Sequence, residues 1–497
     1  MKTLLEVIQQ APGSATAVIL PEQGIKVTYS QLREQVQSVA DAFASAGIAP
    51  GDRVAMSLPN GLDTIVCFLA ASIAGTAAPL NPGYRYDEFL FYLEDTNAKL
   101  LVVPPQGADE ARRAAAERKV PVITAEVTDG KVQLSPSPKG KTAAPPDPDA
   151  IALVLHTSGS TGRPKRVPLR HRNLAVSSQN IVGTYNLGPD DVALVAMPLF
   201  HVHGLVASTL STLRSGGSVV VPSKFNPLSF WRTVRDNRAT WYSAVPTIHS
   251  LLLSRAGTER PAGAENLRFI RSCSAPLSPE MMSGLENAFG APVLEAYGMT
   301  EASHQMCSNP LPPKARKPGH VGPGTGVKIG IMDTAGNLLP SGTAGEVVIQ
   351  GPNVIDGYEN NPEANKTSFT NGWFRTGDQG ILDSEGYLQL VARIKELINR
   401  GGEKISPREI DEVLLTHPAI SEAVCFGVPH PTWGEEVAAA IVLKSTASEG
   451  DVLAFCKERL ADFKRPKKIH IVETIPRTAT GKIQRKAVAA ALGGESK

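Results

Sequence analysis

The chain has few cysteines, and their spacing fits neither a disulfide framework nor a metal site. The five are scattered over the whole length without a C-x-x-C pair, at Cys67, Cys273, Cys307, Cys425 and Cys456. Small secreted folds depend on closely spaced, paired cysteines, which this sequence lacks. We therefore expect free thiols in a reducing compartment, that is, a cytoplasmic protein. A peroxisomal address stays open if the native C-terminus completes the S-K-L signal that the final Ser-Lys begins.

Long apolar runs and an excess of charge of one sign are absent as well. The most apolar run, 66–80, has about 15 residues, whereas a membrane-spanning helix needs about 20. Polar residues interrupt the N-terminal segment, which lacks the pattern of a signal peptide. The formal net charge of +2 is too balanced to indicate binding to nucleic acid. We expect a soluble protein with neither a membrane nor a nucleic-acid partner.

What the sequence does contain is typical of a large globular enzyme. Its 497 residues are 42% hydrophobic and 20% charged, and the length predicts roughly three folded units. Apolar periodicity predicts a helix over 30–46, with Ser30 as its cap, and a strand at Arg53–Met56. Five prolines make 135–150 a linker or surface loop. Strands with glycine turns follow Gly345, and a capped helix begins at Ser406, which indicates a smaller α+β unit at the C-terminus.

The stretch 267–301 predicts a β-α-β unit. Residues 267–274 form an apolar strand, Ser278 can cap the following helix, and 292–297 is the next strand. Two strands joined through a helix are parallel, so their carboxyl ends meet at one edge of the sheet, where ligands bind in open α/β folds. Ser274 and the segment 297–301 are therefore expected to face a common site.

A second candidate site is the glycine- and hydroxyl-rich loop within 156–166, which follows the apolar strand 151–155. Small residues let backbone N–H groups approach phosphate oxygens, and Lys165 adds positive charge. Gly159 and Gly162 are too close together for a Walker motif. The alternative is an ordinary Ser/Gly surface loop.

This loop, HTSGSTGRPKR, resembles the phosphate loop of the AMP-forming acyl-adenylating superfamily, which includes acid–CoA ligases, peptide-synthetase adenylation domains and firefly luciferase. Four further strings resemble superfamily motifs in the expected order: YGMTE at 297–301, GWFRTGD at 372–378, ARIKELINRGGEKISP at 392–407 and PRTATGKIQR at 476–485. The resemblance implies an α/β fold with a large multi-sheet N-terminal domain and a smaller, mobile α+β C-terminal domain. It also implies an enzyme that uses ATP, Mg²⁺ and CoA.

The resemblance assigns a role to each motif residue. Tyr297 is implied to stack on adenine, Thr300 to donate to the α-phosphate, and Glu301 to bind Mg²⁺. Lys482 is implied to meet the negative charge that builds on the phosphoryl oxygens. The positions implied to bind ATP are Thr157, Ser158, Gly159, Ser160, Thr161, Gly162, Lys165, Tyr297, Gly298, Thr300, Asp378, Arg393 and Lys482. Those implied to act in catalysis are Lys165, Thr300, Glu301 and Lys482.

Two half-reactions follow from the chemistry of a carboxylate, which cannot acylate a thiol until its oxygen becomes part of a good leaving group. The resemblance implies two functional domains, 1–394 and 395–497, with a hinge at Lys395. Rotation about the hinge would bring Lys482 in for adenylation and another face in for thioester formation. Residues near the CoA channel are implied to be Arg400, Gly401 and Gly402.

The acid is predicted from the segments that line the acyl pocket. Many superfamily members have glycine where Ser274 stands, and Ser274 adds a hydroxyl to the pocket. His304 and His201 add imidazole groups. A second carboxylate could be buried there only if such donors paired it. The sequence contains the strings MPLFHVHG, TWYSAVPTIH, RFIRSCSAPL, YGMTEASHQMCSNPLP and RGGEKISPREID. In this combination it closely resembles oxalate–CoA ligases, which implies that Ser274, His304 and His201 hold the distal carboxylate of oxalate. We expect His201 and His203 to share one face of a strand, with His203 a core residue and no metal between them.

Other functions stay open at this point. Malonate or another short-chain acid is the alternative substrate. A carrier-protein-loading adenylation enzyme, a catalytically inactive nucleotide-binding module and a light-producing oxygenase share parts of the pattern. The sequence gives no indication of the oligomeric state.

Overall fold

The computed structural model describes residues 2–157, 164–478 and 482–493. By its internal contacts the chain divides into two compact units, Met1–Lys328 with Ile349–Phe374, and Ile329–Val348 with Arg375–Lys497. The predicted α/β class is confirmed, with a large multi-sheet N-terminal part and a smaller C-terminal one. The hinge at Lys395 concerns a rotation and stays a prediction.

Two large sheets form the frame of the first unit. The eight-stranded sheet has the spatial order His304–Ser308, Val293–Met299, Phe269–Ser272, Trp241–Ala244, Val192–Val195, Ser218–Val220, Thr16–Leu20, Ile25–Thr28. The seven-stranded sheet has the order Lys131–Ser135, Val122–Thr128, Ala98–Val103, Arg53–Met56, Thr76–Pro79, Ile151–Thr157, Lys165–Arg170. Parallel pairs fill the middle of each sheet and antiparallel strands close the edges.

Helices connect most of the parallel strands, because parallel neighbours need a crossover connection. The α-helices of the first unit are Leu4–Val7, Tyr29–Ser45, Leu62–Ala74, Tyr86–Asp95, Asp109–Glu117, His171–Tyr185, Ser211–Arg214, Phe230–Asp236, Pro246–Leu253, Pro279–Phe289 and Pro362–Ser368. A π-helix spans His203–Leu210, and 3₁₀ turns span Ala264–Asn266 and Thr300–Ala302. No helix among the described residues is both long and apolar enough to cross a bilayer.

The predicted β-α-β unit is confirmed. Its strands, Phe269–Ser272 and Val293–Met299, pair in parallel, with Ile270 opposite Val293. The helix between them begins as predicted, since the Ser278 side chain accepts a hydrogen bond from the N–H of Met281. It ends at Gly290 with φ +67°, a conformation that glycine adopts without strain.

Two smaller sheets complete the secondary structure of the described residues. One has the order Lys328–Met332, Gly345–Gln350, Trp373–Leu382, Phe369–Thr370, with Leu388–Arg393 also paired to Trp373–Leu382. The other has the order Glu403–Ile405, Ile398–Arg400, Gly434–Leu443, Ile420–His430, with Lys468–Ile471 also paired to Gly434–Leu443. The helices of the second unit are Pro407–Leu415, Glu449–Arg459 and Arg485–Leu492, with 3₁₀ turns at Ile394–Glu396 and Asp462–Lys464.

Two local predictions are wrong. Thr28, not Ser30, caps the helix Tyr29–Ser45, because its side chain accepts from the N–H of Gln31 while the Gln31 amide oxygen accepts from the N–H of Thr28. His201 and His203 do not share a strand face, since His203 begins the π-helix. Every residue of that helix is buried, so its apolar sequence carries no periodicity that distinguishes it from a strand.

Candidate active site

Three residues near the carboxyl end of the strand Phe269–Ser272 have positive φ angles, which are unusual for residues other than glycine. Ser274 has φ +73°, Ser303 has φ +54° and His304 has φ +102°. Residues other than glycine adopt such angles only where the surroundings hold them, and they concentrate at functional sites. A Cβ atom on Gly298 would lie 2.2 Å from the carbonyl oxygen of His304. Glycine at this position therefore lets the chain around His304 approach the strand that carries Tyr297.

A chain of hydrogen bonds starts at Ser274 and runs inward. His203 Nδ1 lies 3.1 Å from Ser274 Oγ, and its Nε2 lies 2.7 Å from Ser243 Oγ. Arg271 Nη1 donates to the same Ser243 oxygen at 2.9 Å. The imidazole rings of His203 and His304 are 5.2 Å apart. Except for the half-buried Ser274, these side chains are buried, so they form one polar cluster at the sheet edge.

Arg271 is the charged member of this cluster and is fully buried. Its guanidinium also donates to Tyr185 Oη at 2.8 Å and to Gln305 Oε1 at 3.0 Å, and it lies 3.5 Å from His304 Nδ1. Within the described parts of the chain, no carboxylate lies at ion-pair distance from Arg271. The cluster is therefore positively charged and rich in donors, as an anionic ligand requires.

A second cluster surrounds Glu301, whose side chain is buried in the 3₁₀ turn Thr300–Ala302. Glu301 Oε1 accepts from Tyr358 Oη at 2.8 Å and from Thr157 Oγ1 at 3.4 Å. Lys165 Nζ lies 4.3 Å from the centre of the Tyr358 ring. The structure thus brings Thr157, Lys165 and Glu301, which the sequence assigned to one nucleotide site, around a single tyrosine.

A carboxylate with one satisfied oxygen is suited to Mg²⁺, which proteins commonly hold with one or two carboxylates while substrate phosphates and water complete the shell. No group of three or more His, Cys, Asp or Glu side chains among the described residues could hold a metal ion by itself. Glu301 is therefore a single carboxylate that could hold Mg²⁺ only together with ligands from outside the described side chains.

The predicted phosphate-loop positions Ser158, Gly159, Ser160, Thr161 and Gly162 lie outside the described residues. The residues on either side are tied together. His156 pairs with Arg166 across the hairpin, and Asp95 Oδ2 lies 3.0 Å from His156 Nε2 and 3.2 Å from Arg166 Nε. Burial lowers the pKa of His156 below its ordinary value. The ring is therefore neutral at pH 7 and donates its Nε2 hydrogen to Asp95.

In the second unit two of the residues implied to bind ATP, Asp378 and Arg393, contact each other directly. Asp378 is buried, and Arg393 Nε lies 2.8 Å from its Oδ1 across paired strands. Lys482 is half-buried, and its N–H donates to Thr478 Oγ1 at 3.1 Å. Lys395 lies in an exposed 3₁₀ turn. Arg393 and Lys395 are exposed, whereas Asp378 is buried, and the roles implied for these residues stay predictions.

The predicted CoA-channel residues form a tight hairpin. Arg400 and Glu403 are paired, and the two residues between them, Gly401 and Gly402, have φ of +60° and +96°. Two-residue hairpins require such positive angles, which glycine adopts readily. Arg400 donates to Glu436 Oε1 at 2.6 Å and its guanidinium lies 5.0 Å from the ring of the exposed Trp433.

Sequence reasoning missed several site residues. Arg271 was visible only as a charge inside an apolar strand, which is an unusual place for arginine. Ser243, Tyr358 and Asp95 carried no signal, because their importance depends on neighbours far away along the chain. The structure places His203, rather than His201, on the Ser274 hydroxyl; His201 Nδ1 accepts from the N–H of His203 at 3.2 Å.

The chain matches known proteins in sequence and in fold. A model described as AMP-binding enzyme matches residues 5–359, and one described as AMP-binding enzyme C-terminal domain matches 409–482. The chain is 48% identical to oxalate–CoA ligase of Arabidopsis thaliana, covering 93% of each chain. It is 45% identical to oxalate–CoA ligase of Saccharomyces cerevisiae, covering 97% of this chain and 95% of the yeast one. It superimposes on the crystal structure of ATP-bound MatB from Rhodopseudomonas palustris with a TM-score of 0.92, at 32% identity over all of both chains.

Proposed function

The chain belongs to the AMP-binding enzyme family, and we propose that it is an AMP-forming oxalate–CoA ligase. The proposal rests on that membership and on the hydrogen-bond donors of the polar cluster around Ser274 and Arg271, which we call the acid cluster. The reaction converts oxalate, ATP and CoA to oxalyl-CoA, AMP and pyrophosphate. The observation that carries the choice of acid is the buried, positively charged cluster of Ser274, His203, His304 and Arg271. A short acid with a second carboxylate supplies the anion that this cluster lacks.

In the first half-reaction one carboxylate oxygen of oxalate attacks the α-phosphorus of ATP, and the bond from that phosphorus to pyrophosphate breaks. Thr300 and Lys165 would donate to phosphate oxygens, and Lys482 would offset the charge that develops on them. Mg²⁺ bound at Glu301 would neutralise part of the triphosphate charge. The second carboxylate of oxalate stays on the donors of the acid cluster.

In the second half-reaction the thiolate sulfur of CoA attacks the acyl carbon, and the bond from that carbon to AMP breaks. The thiol proton is released to solvent. We propose that the C-terminal domain beyond Lys395 changes position between the two steps and that Arg400, Gly401 and Gly402 meet the CoA. The adenine would stack on Tyr297, which Gly298 follows in the same ATP site, and the ribose would bond to Asp378, with Arg393 beside it.

The test is a panel of acids measured by pyrophosphate release and by thioester formation, with and without CoA. Oxalate is expected to give the highest kcat/KM among oxalate, malonate, acetate and octanoate, and the thioester should form only when CoA is present. Lys482→Ala serves as the control for adenylation and should release little pyrophosphate with any acid. If acetate or octanoate exceeds oxalate, the proposed acid is wrong.

The same panel separates the remaining functions. A carrier-protein-loading enzyme would release pyrophosphate but form no thioester with free CoA. An inactive nucleotide-binding module would bind ATP and release no pyrophosphate with any acid. A preference for malonate would leave the class of reaction intact and change only the substrate.

A further inference from the structure

Arg271 occupies a position where an arginine is energetically costly. It lies on the central strand Phe269–Ser272 with none of its surface exposed, and no carboxylate of the described residues pairs with it. A buried charge without a counter-charge is strongly unfavourable unless hydrogen bonds or a ligand compensate it. The side chain is held by neutral acceptors only, including Tyr185, Ser243 and Gln305.

The guanidinium fixes the direction of the hydrogen bonds around it, because arginine can only donate. Ser243 Oγ accepts from Arg271 Nη1 and has one further hydrogen-bond partner among the described residues, His203 Nε2 at 2.7 Å. The hydroxyl hydrogen of Ser243 is satisfied only if His203 Nε2 accepts it. The neutral imidazole then carries its hydrogen on Nδ1.

That hydrogen points at Ser274. His203 Nδ1 lies 3.1 Å from Ser274 Oγ, so the serine oxygen accepts and its own hydrogen is available to a ligand. Arg271 acts on His304 in the same sense, since its Nη2 lies 3.5 Å from His304 Nδ1 and favours a lone pair there. The hydrogen of a neutral His304 is then on Nε2, which makes this atom a donor.

We propose that Arg271 is a positioning residue that turns the acid cluster into a donor-only site for a second carboxylate; this rests on the proposed acid–CoA ligase function. Through Ser243 and His203 it aims the Ser274 hydroxyl at the ligand, and it holds His304 in the tautomer that donates from Nε2. Its buried charge favours an anion beside these donors. A monocarboxylic acid leaves the same donors without an acceptor, which a buried polar site discriminates against strongly.

The experiment compares oxalate with acetate in pyrophosphate release by the full-length enzyme and four variants. Arg271→Met removes the buried charge. Ser243→Ala keeps that charge but interrupts the hydrogen bonds between Arg271 and His203. Arg271→Lys keeps the charge with fewer hydrogen-bond donors. Arg268→Met is the matched control, since Arg268 precedes the same strand but is partly exposed and already has a counter-charge in the buried Asp191.

In Arg271→Met we expect the oxalate-to-acetate ratio of kcat/KM to fall about 100-fold, mainly through the KM for oxalate, since hydrogen bonds to a charged group are the strong ones. Ser243→Ala should lower the ratio about tenfold, and Arg271→Lys should retain more of it than Arg271→Met does. Arg268→Met should keep the wild-type ratio. If Arg271→Met loses kcat/KM equally on both acids, so that the ratio stays unchanged, Arg271 only supports the fold.

Failure of the proposed function looks different. If the wild-type enzyme prefers malonate, oxalate is the wrong acid and the malonate-to-acetate ratio tests Arg271 instead. If the wild type has no preference for a dicarboxylic acid, the proposed function and the role of Arg271 are both overturned.

A second readout does not depend on turnover. Nitrogen-15 spectra of the histidine-labelled enzyme distinguish a protonated from an unprotonated ring nitrogen. We expect the wild type to carry the hydrogen of His203 on Nδ1 and that of His304 on Nε2, and Arg271→Met to show mixed tautomers at both. Identical spectra for the two proteins would show that Arg271 does not set the direction of these hydrogen bonds and would overturn the proposal.

Discussion

Asp95 lies outside every motif, yet it contacts both strands beside the proposed nucleotide site. It ends the helix Tyr86–Asp95 and contacts both His156 and Arg166, which face each other across the hairpin that contains the phosphate loop. All three side chains are at most 15% exposed. Water therefore screens their interaction poorly, and the carboxylate fixes the two strands beside the loop.

Replacing Asp95 by asparagine is expected to weaken ATP binding and the fold together. Arg166 would lose a charged partner in a mostly buried site, which costs about 1–3 kcal/mol of unfolding free energy. The KM for ATP should rise about tenfold, measured by pyrophosphate release. Glu110→Gln is the control, because Glu110 pairs with Arg113 on an exposed helix. An Asp95→Asn enzyme with the KM and melting temperature of the wild type would contradict this prediction.

At the scale of elements, the hairpin Ile398–Arg400 and Glu403–Ile405 turns at two residues whose backbone conformation favours glycine. Gly401 and Gly402 both have positive φ, but their surroundings differ. A Cβ on Gly401 would lie 2.8 Å from a ring carbon of Trp433, whereas nothing lies within 4 Å of a Cβ on Gly402. The two positions therefore make a matched pair for testing the proposed role of the turn in CoA binding.

Gly401→Ala is expected to impair thioester formation more than Gly402→Ala does. Both changes strain the backbone by about 1–2 kcal/mol, but only the first displaces Trp433 and the Arg400 side chain beside it. The KM for CoA should rise several-fold in Gly401→Ala and less in Gly402→Ala, while pyrophosphate release without CoA stays near the wild-type rate in both. Equal effects of the two variants would exclude a role for Trp433.

The β-α-β unit shows how far sequence reasoning reaches at this scale. Both strands, the Ser278 cap and the Gly290 end were predicted, because caps and turns are local and depend on neighbours a few residues away. The segment around His203 was predicted incorrectly as a strand. A fully buried π-helix carries no polar face, so the apolar pattern could not reveal it.

At the scale of the whole molecule, the proposed reaction requires the two half-reactions to be separable. Lys395→Pro is expected to leave adenylation near the wild-type rate and to reduce oxalyl-CoA formation by at least tenfold, since proline restricts the φ angle that a hinge must change. Single-turnover pyrophosphate release and thioester formation measure the two steps separately. Lys395→Ala is the control, because it removes the side chain without restricting the backbone, and it should retain both steps. Loss of both steps in Lys395→Pro alone would place the effect on folding and not on a hinge.

The sequence by itself determined the family, the order of its motifs and the class of reaction, because phosphate loops, caps and glycine turns are written in contiguous residues. The tertiary structure decided which side chains meet. Arg271, Ser243, His203 and His304 come from four different elements, and their hydrogen-bond directions exist only once those elements pack. A buried charge is evident only when its surroundings are known. For this reason the sequence predicted Ser274 and His304 for the acid site, whereas Arg271 was recognised only in the fold.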